Sequence, residues 1–154
     1  MADLFRDACA LVKRNVAEVG SAWVSSLALP SAGNPIFVAA ISAVEVASAI
    51  ARRTKAGNLS PADATLAKTQ FDLDFDQQYL VVEITEPVLR RAVDLAGRHA
   101  LRAYDSVRLS AVLALNERRI AHALPPTTLV SADQELNAAA RAEAIQVDDP
   151  NSHP

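Results

Sequence analysis

Ile36-Phe37-Val38-Ala39-Ala40-Ile41 runs directly into Ser42-Ala43-Val44-Glu45-Val46-Ala47-Ser48-Ala49-Ile50. The first part is a short apolar run of branched and aromatic residues and reads as a buried strand. The second is alanine-rich, with Ser42 available as a cap, and predicts a helix over Ala43 to Ala56 that stops at Gly57-Asn58. Strands alternating with helices imply an α/β fold in which a parallel sheet is covered on both faces.

The alternation continues in both directions. Upstream, the sequence predicts a short strand from Ala2 to about Phe5, the stretch Ala8 to Val16, a helix near Ser21 to Leu29 and a loop over Pro30 to Pro35. Downstream, Ser60-Pro61-Ala62-Asp63 combines a capping serine, a proline in first position and an acid in the first turn, so a helix starts there and leads toward Tyr79. Within it, Phe71-Asp72-Leu73-Asp74-Phe75-Asp76 alternates as a strand does, but Tyr79-Leu80-Val81-Val82-Glu83 is the better strand and the helical reading stands. Thr85-Glu86-Pro87 opens a helix to about His99, and Arg102 to Arg119 forms another before Pro125-Pro126 forces a loop. Thr127 to Ser131 reads as a strand, Asp133 to Ala144 as a helix and Ile145-Gln146-Val147 as a last edge strand.

Composition narrows the function. A chain of 154 residues is the size of one domain. Hydrophobic residues make up 51% with only 5% aromatic, which suits helices packed on a sheet of branched residues. Four glycines, with no Walker-type or dinucleotide-type spacing, argue against a phosphate-cradling loop. A net charge of −3 gives no global field for nucleic acid, so any polyanion site has to be local. The single cysteine, Cys9, excludes an intramolecular disulfide and a CxxC knuckle. Val19 to Val44 carries no charge, but Gly20, Pro30, Gly33, Asn34 and Pro35 break it, so no membrane span is expected. Charge appears early, at Asp3, Arg6, Asp7, Lys13 and Arg14, which leaves no room for a secretory signal and predicts a cytoplasmic protein.

Four acids stand where strands end or apolar helices begin. Asp7, Asp105 and Asp133 each have an ordinary structural explanation as a helix cap or a charge at a helix N-terminus. Ser131-Ala132-Asp133-Gln134 matches a capping box with Ser131 as the cap. Glu45 differs, because Ile41, Val44, Val46, Ala47, Ala49 and Ile50 surround it on a helix that reads as buried. A buried carboxylate has to be paired, protonated or bound to metal, and the pairing alternative is a salt bridge to Arg52, Arg53 or another cation. In an open α/β sheet the strand ends converge on one crevice, where four carboxylates would make a hard-cation site.

The segments that carry these acids are Asp7-Ala8-Cys9-Ala10-Leu11-Val12-Lys13-Arg14 with Gly20-Ser21-Ala22-Trp23-Val24, Ile41 to Ala49, Leu101-Arg102-Ala103-Tyr104-Asp105-Ser106-Val107-Arg108-Leu109-Ser110-Ala111, and Leu129-Val130-Ser131-Ala132-Asp133-Gln134-Glu135-Leu136. In this order and at these separations they resemble the PIN-domain ribonucleases, particularly the VapC-type toxins of bacterial toxin-antitoxin pairs, over nearly the whole chain. The resemblance implies a three-layer α/β/α sandwich with a central parallel sheet of about five strands, formed by residues 1–148 and followed by a polar tail over 149–154. It also implies that Asp7, Glu45, Asp105 and Asp133 are catalytic ligands of Mg²⁺ or Mn²⁺ in hydrolysis of RNA phosphodiester bonds. The partners it implies are an RNA substrate, a cognate antitoxin protein and a second copy in a homodimer.

Local cations such as Lys13, Arg14, Arg102 and Arg108 are candidates for substrate contact, against the plainer reading of a solvated helix face. Without metal, clustered carboxylates are expected to raise at least one pKa. Two departures stand out: Ala8 and Cys9 follow the first aspartate where the family has hydroxyl or amide residues, and Asp3 and Arg6 interrupt the first strand. The first keeps open a second reading, a catalytically weak or inactive PIN-fold module that binds protein or RNA. Neither Cys9 nor the scattered His99, His122 and His153 has the spacing of a nucleophile pair or a zinc site. A phosphate-accepting signalling domain is disfavoured, since it needs paired acids after the first strand and a lysine after the last.

Overall fold

Each of the apolar runs that reads as a strand pairs into one parallel sheet. β1 (Leu4–Arg6), β2 (Ile36–Ala39), β3 (Tyr79–Val82), β4 (Thr128–Val130) and β5 (Val147–Asp148) stand in the order β3-β2-β1-β4-β5. β1 is central, with Phe5 opposite Phe37 on one side and Leu129 on the other. The computed structural model describes residues 3–15 and 19–153, with the side chains of residues 9, 13–15 and 30 outside that set. The sequence readings that touch Ala2, Val16 and the side chains of Cys9, Lys13 and Arg14 therefore fall outside the described residues.

The connections are helical: α1 (Ala8–Asn15), α2 (Ser21–Leu27), α3 (Ser42–Lys55), α4 (Pro61–Gln77), α5 (Glu86–His99), α6 (Ala103–Ala121) and α7 (Gln134–Ala142). Strand residues alternate between faces, so one strand feeds two cores. Ile36, Val38 and Tyr79 pack against Leu11, Val46, Ile50 and Phe71 from α1, α3 and α4. Phe5, Ala39 and Leu129 pack on the other face against Leu95, Leu109 and Leu136 from α5, α6 and α7. The result is the three-layer α/β/α sandwich expected from the sequence.

α4 is helical throughout, and its alternating stretch resolves itself by burial: Phe71 and Asp74 face inward, and Asp74 accepts a hydrogen bond of 2.9 Å from Gln70. α6 is buried on most sides because α5 and α7 pack against it. Several of its polar side chains are accordingly satisfied within the protein. Ser110 Oγ donates to the Val88 carbonyl at 2.7 Å, and Asn116 Oδ1 accepts from both the backbone and the hydroxyl of Thr127. Arg119 pairs with Asp3 and donates to the Pro125 carbonyl.

Three boundaries depart from expectation. β1 reaches Arg6, whose guanidinium is fully buried and donates to the Val24 carbonyl at 2.9 Å, so a charged residue completes the central strand. Ser42 is the first helical residue of α3 and makes no capping bond, because Ile41 already has helical dihedrals. The last strand is Val147–Asp148, since Ile145 turns into the core instead.

The chain after β5 returns to the body. A short 3-10 turn, Pro150–Ser152, packs beside α2, and the His153 ring stacks on Trp23 with centroids 3.9 Å apart. Gly20 makes this approach feasible: its φ is +81°, and a Cβ there would lie 2.3 Å from the Pro150 carbonyl oxygen. Gly20→Ala is therefore predicted to destabilise the fold by about 1–3 kcal/mol. Trp23 is the only tryptophan, so its emission should shift as the stack with His153 opens. An unaltered spectrum together with an unaltered urea midpoint would contradict this.

Candidate functional site

In a parallel sheet all strand C-termini lie along one edge. The chain leaves β1 toward β2 on one side and leaves β4 toward β5 on the other, so the crevice of this fold opens between β1 and β4. Asp7 directly follows β1, and Ser131 and Asp133 follow β4. Glu45 lies in the first turn of α3 and Asp105 in the first turn of α6. Glu45, Asp105 and Asp133 line one cleft of about 700 Å³, with Arg52, Arg53, Arg102 and Tyr104 also among its walls.

Asp7 is fully buried at the base of this arrangement. Its Oδ1 accepts from the Ala10 amide at 2.7 Å, which caps α1. Its Oδ2 accepts from Ser131 Oγ at 2.6 Å and from Arg108 at 3.4 Å. The capping reading and the site reading of Asp7 thus hold together, one through each oxygen. Ser131 Oγ in turn accepts the Asp133 amide at 3.1 Å, while the Ser131 carbonyl accepts from Asn137 at 2.8 Å. Asp133 itself, not Ser131, caps α7, with Oδ1 accepting the Leu136 amide at 2.9 Å. The capping-box expectation is corrected because Ser131 is engaged with Asp7.

Arg108 occupies the middle. Its Nη2 donates to Glu45 Oε1 at 2.5 Å, and its Nη1 lies 3.2 Å from Asp105 Oδ1 and 3.4 Å from Asp7 Oδ2. The partner of Glu45 is thereby found on α6, rather than at Arg52 or Arg53 about two turns along its own helix. The solvated-face reading of Arg108 is also corrected, since the residue is only 5% exposed. Two buried atoms of the cluster, Glu45 Oε2 and Arg108 Nε, have no hydrogen-bond partner among the described residues.

The electrostatics follow from burial and crowding. Burial pushes the Asp7 carboxyl above its ordinary value, by more than Arg108, Ser131 and the Ala10 amide bring it down. Burial also raises Asp105; Arg108 works against this, and the charges of Asp133, Glu45 and Asp7 add to it. Burial opposes the charge on Arg108, but Asp7, Glu45 and Asp105 together outweigh it and keep the guanidinium protonated. The rise anticipated for clustered acids is present, with desolvation as its first cause and repulsion a lesser one.

Whether the cluster suits a hard cation is a matter of donors and geometry. The donors are carboxylate oxygens, the type that Mg²⁺ and Mn²⁺ take, and Glu45 Oε2 is an acceptor still wanting a partner. As they stand, no three acidic, histidine or cysteine side chains among the described residues converge on one point, because they are spread around Arg108. The residues fit the ion in kind, and the guanidinium holds its place.

Histidines stand elsewhere. His99 meets Glu143 at 2.7 Å, and that bond together with Arg98 holds the Glu143 carboxyl below its ordinary value. His153 meets Asp148 beside Trp23, and His122 bonds the Arg118 carbonyl. Among the described residues no helix is long and apolar enough to cross a membrane.

The sequence matches no protein-family model and no curated protein. Solved structures do match. VapBC2 from Rickettsia felis, crystallised with a DNA fragment from its promoter, superposes with a TM-score of 0.62 at 13% identity, over 95% of this chain and 97% of that one. Mycobacterium tuberculosis VapC20, a sarcin-ricin loop cleaving toxin, gives 0.62 at 13% identity over 89% and 95%. A toxin-antitoxin complex from Klebsiella pneumoniae gives 0.58 at 16% identity over 97% and 98%. The architecture reached from the sequence, a five-stranded parallel sheet between helices, is thus the fold of the VapC-type PIN-domain toxins.

Proposed function

We propose that the protein is a metal-dependent endoribonuclease that hydrolyses RNA phosphodiester bonds, and that it is the toxin of a toxin-antitoxin pair. One observation carries this reading: acids from four separate segments lie around the switch point of the sheet, beside a cleft walled by arginines. The activity named for a toxin of the same fold supports it. Asp7, Glu45, Asp105 and Asp133 would hold Mg²⁺ or Mn²⁺. The chemistry such an ion supplies when bound is a more nucleophilic water and compensation of the charge developing on phosphate oxygens.

The remaining work falls to the chain itself. Arg52 and Arg102 in the cleft wall neutralise backbone phosphates, and Tyr104, half exposed beside Asp105, offers a face for a base to stack on. Ser131 orients Asp7 and fixes the amide of Asp133 at once. Removing that hydroxyl leaves both acids in place but loosely set, so Ser131→Ala is predicted to lower cleavage by about 10–100-fold. Full activity in a folded Ser131→Ala protein would refute the orienting role. The partners in this reading are RNA, a cognate antitoxin protein and a second copy of the chain.

Purified protein incubated with cellular RNA in Mg²⁺ or Mn²⁺, beside EDTA and Asp7→Asn controls, tests the proposal. Cleavage that persists in both controls would exclude the metal mechanism. Absence of cleavage on any RNA would favour a catalytically weak or inactive interaction module, which Ala8 after Asp7 and the guanidinium among the acids speak for.

A further inference from the structure

We propose that Arg108 is a tethered cation that fills the carboxylate site in the metal-free protein and has to withdraw when a divalent ion enters. The inference rests on the metal reading above and adds to it a residue that controls access. Arg108 reaches acids from three elements, Asp7 after β1, Glu45 on α3 and Asp105 on its own helix. A forked, planar guanidinium spreads its N–H groups over separate nitrogens, so this one side chain engages carboxylates from three elements.

The arrangement cannot coexist with a bound ion. The guanidinium engages these oxygens through N–H groups at 2.5–3.4 Å. Mg²⁺ needs its oxygens at about 2.0–2.1 Å around one point. The same oxygen atoms cannot meet both demands, so binding is an exchange of one cation for another.

The guanidinium is also an incomplete substitute. One positive charge faces Asp7, Glu45 and Asp105, and Glu45 Oε2 and Arg108 Nε remain buried without partners among the described residues. A divalent ion offers more charge and further coordination positions, which favours the exchange once the ion is available. Arg108 already borders the cleft, so its side chain has somewhere to go. Turned outward, it carries its charge to where a substrate phosphate lies, and a bound phosphate would in turn hold it there. Metal and substrate therefore assist one another through this residue, which makes the ion's affinity for the free protein weak.

Two measurements test this. Mn²⁺ binding is followed by the electron paramagnetic resonance of the free ion, in the parent protein and in Arg108→Gln. The variant is expected to bind Mn²⁺ about tenfold tighter or more, a difference of about 1.4 kcal/mol or greater. The same variant should melt at lower temperature than the parent in EDTA and recover in Mn²⁺. In the isotope-labelled parent protein, the Arg108 guanidinium resonances are followed during a Mg²⁺ titration, and they should change from a rotationally locked to a freely rotating pattern. Mn²⁺ binding no tighter in the variant, or Mg²⁺ saturation that leaves the guanidinium locked, would overturn the tethered-cation role and leave the nuclease reading standing. Failure of both proteins to bind Mn²⁺ would overturn both. Should Arg108→Gln not fold in either condition, the guanidinium signals of the parent protein decide alone.

Discussion

Asp105→Asn is expected to lower metal-dependent RNA cleavage by on the order of 10²-fold or more, since even a group behind a ligand is worth 10–100-fold. The substitution keeps the shape of the side chain at the mouth of α6 and removes its charge from the cleft. Stability should not fall with activity. The Asp105 pKa in the folded protein is raised above 3.8, first through burial and further through Asp133, Glu45 and Asp7. A raised pKa means that the contribution of the group to stability is fully present below 3.8 and is lost as pH rises through the folded value. At neutral pH, well above 3.8, a carboxyl whose folded pKa is raised is thus a net cost in the metal-free protein, and asparagine removes it. Arg108 keeps two partners, Asp7 and Glu45. The variant should melt at or above the parent temperature at neutral pH in EDTA, and any advantage should shrink as pH falls toward 3.8. A variant that loses activity and melts well below the parent would mean that Asp105 is a structural ion pair. Unchanged cleavage with unchanged stability would remove Asp105 from the site.

The fold was legible because the apolar runs are buried on both faces. Ile36, Val38 and Phe37, Ala39 serve opposite cores, and no polar alternation blurs the run. What misled at the N-terminus was Arg6. No periodicity rule anticipates a guanidinium in a central strand, where α2 presents the Val24 carbonyl to it. Ser131 and Asp133 shared a capping signature that local sequence cannot divide, and the division is made by Asp7, 124 residues away in the chain. Arg108 was the residue with a usable signal. It lies three positions after Asp105, on the same face of a helix that is apolar on its other sides, so a cation there had to be buried beside that acid. Reading it as a solvated charge ignored the same argument that singled out Glu45, and the two are each other's partners. The site readings for Asp7, Glu45, Asp105 and Asp133 came from flanking sequence, whereas the distances among them are set by tertiary contacts that spacing does not encode.

Phe5→Ala is expected to destabilise the protein by about 3–5 kcal/mol, the range for truncating a buried aromatic residue. Phe5 has no exposed surface and lies in the middle of β1, the central strand of the sheet. Its ring packs in the larger core with Leu109 of α6, Leu129 of β4 and Leu136 of α7, elements on which Asp105, Ser131 and Asp133 depend for position. The sheet cannot collapse to fill the void without shifting β1 against β2 and β4, so little of the loss is recoverable. For a domain whose total stability is about 5–15 kcal/mol, that is about a fifth of the whole or more. A urea titration should show the midpoint falling with little change in slope. Leu66→Ala is the matching control: Leu66 is 69% exposed on α4, and its truncation should change stability by less than about 0.5 kcal/mol. Because Asp7 is two residues from Phe5, just past the end of the same strand, the cavity should also loosen the Asp7–Ser131 bond, and activity in the folded fraction should fall. Equal midpoints for Phe5→Ala and Leu66→Ala would mean that β1 is not the packed centre of the sheet, and the common edge on which the acids are assembled would lose its foundation.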